Sequence, residues 1–178
     1  MINSTVSRRG LLGLIGVGVV AGLVGVEQAH AAGVARWNRT TVHVENLLGS
    51  AWPVRAAAEA WDDSSALDLV AVEGPAPIRG TSIITVKWGQ LPTGTLGYCS
   101  TSKDGYGRYK RAVITINDRI VKSYPYQLKV MLVRHEIGHA LGFNHTTKRD
   151  VMNQSINSAG SPLLGYYHLD TLRRVYGS

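Results

Sequence analysis

Residues 135–145 read His-Glu-Ile-Gly-His-Ala-Leu-Gly-Phe-Asn-His, and no other stretch restricts the chain as much. Positions four apart in an α-helix share a face, so His135 and His139 project the same way, one turn apart. Two neutral imidazoles on adjacent turns supply half of a tetrahedral zinc site. Glu136 sits one step round the helix, at an angle that suits a water beside the metal better than the metal itself. Gly142 falls where such a helix must stop, because glycine readily takes the left-handed conformation of a helix C-terminus. A sharp turn there brings His145 back as a third ligand and leaves a fourth position open, as a catalytic site needs. With this chain's composition, the full pattern has a chance expectation of about two in a hundred thousand.

The rest of the chain sets the context. Its 178 residues suit one domain, and a hydrophobic fraction of 44% is enough for a real core. Residues 1–31 read as a signal peptide. Arg8 and Arg9 precede an apolar, glycine-rich run over 11–26, and Ala29-His30-Ala31 fits a small-x-small cleavage site. The paired arginines point to twin-arginine export, with ordinary Sec export as the alternative. Either route places the mature chain, 32–178, outside the cytoplasm as a secreted protein. Removing Arg8, Arg9 and Glu27 from the +7 chain leaves 17 basic and 11 acidic residues, a net charge of +6. The cations are scattered and no nucleic-acid module is present, so nucleic acid is not an expected partner. No membrane contact is expected after cleavage either. Cys99 is the sole cysteine, which excludes an intramolecular disulfide and marks a buried core thiol.

Local patterns predict strands at 40–45, 67–72, 82–88, 94–102 and 112–117, the fourth weak and interrupted by glycine. Helices are predicted over 51–61, announced by Pro53, and after Ser123 and Pro125, where the zinc motif lies. A last helix is expected over 167–176. Asp104 stands among Lys103, Arg108, Lys110 and Arg111, so no acid-rich calcium loop is expected there; calcium is otherwise undetermined by the sequence. The order strand-helix-strand-strand-strand-strand-helix implies an α/β sheet with a long helix on one face.

The zinc stretch resembles the extended signature of the metzincin metalloproteases, a small secreted bacterial matrixin-like peptidase in particular. The likeness extends to Asp150-Val151-Met152-Asn153, where Met152, seven residues past His145, stands at the place of that clan's methionine turn. The ending Val175-Tyr176-Gly177 is similar to the matrixin C-terminal helix. This resemblance implies a metzincin-like catalytic domain: a twisted five-stranded mixed sheet with an antiparallel edge strand, an active-site helix, and a small C-terminal subdomain ending in a helix. It implies one catalytic Zn2+ on His135, His139 and His145, with Glu136 as general base for peptide-bond hydrolysis. It also implies a monomer taking an extended protein or peptide substrate along the unpaired edge of strand 94–102, with the loop 153–166 bordering the S1′ pocket. Gln154 departs from the tyrosine that astacins and serralysins carry there, so no tyrosine is assigned to transition-state stabilisation. Tyr166, Tyr167 and His168 are read as packing and helix-start residues. Two other readings stay open: a binding protein whose structural zinc is closed by Cys99, and a zinc hydrolase of non-peptide substrates.

Overall fold

The computed structural model describes residues 16–20, 36–76, 82–155 and 164–177. Six strands form one mixed sheet: β1 (Gly16–Val20), β2 (Thr41–Asn46), β3 (Asp68–Glu73), β4 (Ile83–Gly89), β5 (Thr95–Lys103) and β6 (Tyr109–Asn117). Their spatial order is β1-β5-β6-β4-β2-β3. The three described α-helices are α1 (Val54–Asp62), α2 (Tyr126–Ala140) and α3 (Tyr166–Tyr176). In β2 the alternation Thr-Val-His-Val-Glu-Asn turns Val42, Val44 and Asn46 inward, as a strand's period of two requires. His43, on the other face, is only half-buried.

Strands β2, β3, β4 and β6 run parallel, with α1 as the crossover between β2 and β3. β5 runs antiparallel to β6, as the resemblance implied, and five of the six strands lie within residues 41–117. The outer edge of β5, however, is not unpaired in the full chain. Gly16 stands opposite Ser100, Val17 opposite Cys99 and Gly18 opposite Tyr98, in antiparallel register. An edge strand offers a row of free N–H and C=O groups, and an extended Gly-Val run satisfies them. That run belongs to the segment read as a signal peptide; the arginine pair and the cleavage site lie outside the described residues. No helix among the described residues is long and apolar enough to cross a membrane.

Two element starts differ from the sequence reading by three residues, each for a local reason. α1 begins at Val54 rather than 51, because proline at 53 disfavours helical geometry in the residue before it. No side chain caps this helix, but Val54, Ala57, Ala58 and Trp61 are all buried. Burying a side chain such as Val54 contributes about 1.5–3 kcal/mol, which outweighs a missing cap worth about 1 kcal/mol. β6 begins at Tyr109, three residues before the predicted start, because Tyr109 pairs with Lys103 and bridges to Trp37.

α1 and α2 pack on each other and on the sheet, α1 over β2 and β3, α2 over β5 and β6. Trp61 is fully buried where they meet, its indole N–H donating to the Arg134 carbonyl at 2.9 Å. At the far end of α2, the Trp37 indole donates to the Ala140 carbonyl at 3.2 Å. The Trp37 backbone N–H donates to the Tyr176 hydroxyl at 2.7 Å, tying α3 to the same corner.

Candidate metal centre

α2 enters behind Pro125, whose missing N–H costs nothing at a helix start. Its last two turns bury His135, Glu136 and His139 together. Gly142 then adopts φ +95°, its N–H bonds the His139 carbonyl at 3.0 Å, and the Phe143 N–H bonds the Gly138 carbonyl at 2.9 Å. This pair of bonds around a left-handed glycine is the Schellman termination. It reverses the chain within three residues and delivers His145 to the face carrying the other two histidines.

The three imidazoles converge as the spacing predicted. His135 Nε2 and His139 Nε2 are 3.0 Å apart, and His139 Nε2 and His145 Nε2 are 3.1 Å apart. Among the described residues, these three are the group of His, Cys, Asp or Glu able to hold a metal ion, with ligand atoms mutually within 4.8 Å. The opposite ring nitrogens explain the orientation. His135 Nδ1 donates to the Val151 carbonyl at 2.7 Å, and His139 Nδ1 donates to the Phe143 carbonyl at 2.8 Å. With those protons committed, the Nε2 atoms face one another as lone pairs, an arrangement that a cation relieves. Zinc–nitrogen bonds of about 2.0–2.1 Å at a tetrahedral angle hold two nitrogens roughly 3.3–3.4 Å apart, so the donors fit after a small opening.

Electrostatics favour the neutral ligands a metal requires. Burial drives the His135 imidazole down to about 4. Burial, then the neighbouring His135 and His145, hold His139 well below its ordinary value, and burial also lowers His145. Glu136 is completely buried, neither carboxylate oxygen has a hydrogen-bond partner, and burial raises its carboxyl well above the usual range. An unpartnered buried carboxylate is costly and rare, and catalytic sites are one place where it persists. Glu136 is not part of the triad's group of ligand atoms.

Several contributors were not read from sequence. Gly138 is one: a Cβ there would overlap the Met152 sulfur and approach Trp61 Cζ2 at 2.9 Å. A glycine inside a helix costs about 1 kcal/mol against alanine, a signal that packing demands it. Met152 itself is fully buried against that glycine, one residue before His139. Gly97 of β5 is another, since a Cβ there would overlap the Glu136 carboxylate. Asp150 was read as part of the turn, but not the bonds that it makes. Its Oδ1 accepts from the Thr146 hydroxyl at 2.7 Å and from the Met152 N–H at 2.9 Å, pinning the turn beside His145. An Asp two residues before the atom it bonds is a legible turn signal.

Cys99 is buried, and burial with the nearby Glu136 raises its thiol well above the usual value. It lines a cavity of about 70 Å³ with His139, Lys103 and Phe143, yet stands outside the ligand group. Tyr166 and Tyr167 begin α3 as helix-start residues, 77% and 59% exposed, and His168 behind them is buried at 1% exposure. Most of the loop expected to border a substrate pocket, 156–163, lies outside the described residues. No protein-family model matches the chain, and no curated protein matches it closely enough to count as a relative.

Proposed function

We propose that this protein is a secreted, metzincin-like zinc endopeptidase. One observation carries the reading: three imidazoles converge on a common point from a helix and its glycine turn, beside a buried carboxylate that has no structural partner. His135, His139 and His145 would hold the ion through Nε2. A zinc ion there supplies Lewis-acid chemistry, acidifying water and polarising a carbonyl oxygen. Glu136 takes a proton from the attacking water and passes it to the amine nitrogen as the peptide C–N bond breaks, so the carboxylate ends as it began. β5, whose Gly97 touches Glu136, offers extended backbone along which a peptide aligns once β1 is away. A structural zinc closed by Cys99 has no comparable support, because the thiol lies outside the ligand group.

The test is cleavage of a mixed peptide library by the chain from Ala32 onward, with and without a zinc chelator, beside Glu136→Ala. Chelator-sensitive cleavage that the variant lacks, while it retains stoichiometric zinc, is the expected result. An unimpaired variant would remove Glu136 as the base, and a library left intact by zinc-loaded protein would remove the peptidase reading.

A further inference from the structure

His168 is buried to 1% exposure, yet neither ring nitrogen has a hydrogen-bond partner. Aromatic rings hold its position: Trp61 lies 5.9 Å away edge-on, Phe143 5.3 Å and Tyr167 5.6 Å. Trp61 also stacks on Phe143 at 5.2 Å, so α1, the glycine turn and α3 meet at this imidazole. Its Nε2 lies 3.9 Å from Asp150 Oδ2. The other Asp150 oxygen is spent on Thr146 and Met152, which leaves Oδ2 for the histidine. Burial of His168 favours the neutral ring; Asp150 and then the Gly165 backbone oppose that, with Lys148 on the side of neutrality.

Asp150 does not touch the triad's ligand atoms, but its turn governs them. The residue after it, Val151, supplies the carbonyl that takes the His135 Nδ1 proton, and the residue before Thr146 is His145. A shift of this turn therefore moves one ligand and releases the tautomer of another. A nonpolar ring would fill the space beside Trp61 and Phe143 equally well, so packing does not explain a histidine there. Two orphaned nitrogens in the interior are a standing cost unless one answers a partner.

We propose that His168 is a positioning residue for the metal: from α3 it holds Asp150, and through Asp150 it sets the Val151 carbonyl and His145 for ligation. The inference rests on the proposed metal centre. At 3.9 Å the contact is longer than a direct hydrogen bond, and a small closure of the turn or one bridging water completes it.

The experiment measures zinc affinity by competition with a chromophoric chelator, and the visible absorption of the cobalt(II)-substituted protein, for wild type, H168F, H168Q and D150N. H168F keeps the aromatic packing and removes the donor; H168Q restores a donor near the Nε2 position; D150N neutralises Oδ2 while keeping a side-chain acceptor for Thr146 and Met152. The expected result is that H168F and D150N weaken zinc binding about 10–100-fold and alter the cobalt spectrum, with H168Q close to wild type. Wild-type affinity and spectrum in both H168F and D150N would overturn the inference, and so would equal weakening of H168F and H168Q, which reduces His168 to packing. Should H168F fail to fold, D150N and H168Q decide the matter alone. A wild-type protein that binds no zinc would instead remove the metal centre, and this inference with it.

Discussion

Gly97 of β5 and Glu136 of α2 lie so close that a Cβ at position 97 would occupy the space of the Glu136 carboxylate. The carboxylate of the candidate site is thus held against a strand backbone rather than by a hydrogen bond, since both its oxygens lack partners. The position of this carboxylate depends on steric contact.

Replacing Gly97 with alanine therefore displaces Glu136 and leaves the histidines in place. A catalytic group misplaced by about 1 Å costs on the order of 100-fold, so kcat/KM falls by about that factor while zinc stoichiometry stays at one per chain. Steady-state kinetics with metal analysis checks this. A G97A protein as active as wild type would mean that Glu136 is not positioned by β5.

Gly138→Ala sets two effects against each other. Alanine gains roughly 0.8–1 kcal/mol of helix propensity, but its Cβ would overlap the Met152 sulfur and crowd Trp61. Overpacking of this kind costs about 1–3 kcal/mol, so the variant is expected to be less stable and to bind zinc more weakly. Chemical denaturation with a chelator titration measures both. A G138A protein more stable than wild type would show that propensity wins and that the Met152 contact is slack.

The metal-free protein has a definite acid response. Burial lowers the His135 pKa from 6.5 to about 4 in the fold, and lowers His139 and His145 too. Below pH 6.5 the unfolded chain takes up protons that the folded chain refuses, so this stability is full above 6.5 and is lost as pH falls towards 4. Glu136 acts oppositely, because its raised pKa makes the folded state keep a proton that the unfolded carboxyl releases. The Tm of chelated protein is expected to drop between pH 6.5 and 4.5, and to drop more steeply in Glu136→Gln. A level Tm across that window in both proteins would contradict the burial of the triad.

The pairing of Gly16–Val20 with β5 sets the activity of the full chain against that of the chain from Ala32. An extended peptide and β1 compete for the same row of backbone groups. The full chain is expected to cleave peptides at least about 10-fold more slowly, with equal zinc content, measured on the two purified proteins side by side. Equal rates would show that β1 does not obstruct the substrate's path.

Much of the site was legible because its determinants are local. The spacing of His135 and His139, the stop at Gly142 and the turn residues from Asp150 to Met152 each express backbone geometry within a few residues. The strand alternation of β2 and the buried stripe of α1 were readable for the same reason. The weak pattern of β5 still marked a strand, antiparallel to β6.

The remainder came from residues distant in sequence and adjacent in space, where no periodicity applies. Gly97 meets Glu136, Asp150 faces His168, Trp61 reaches Arg134, and Gly16–Val20 covers the β5 edge. By itself the sequence determined which side chains a helix and its terminating glycine carry to one face, because helical pitch and the glycine's left-handed turn are properties of a short segment. Only the tertiary structure decided how closely the three imidazoles converge and which carbonyls orient them. It also decided that Glu136 is buried without a partner, because burial and contact depend on elements brought together from the whole chain.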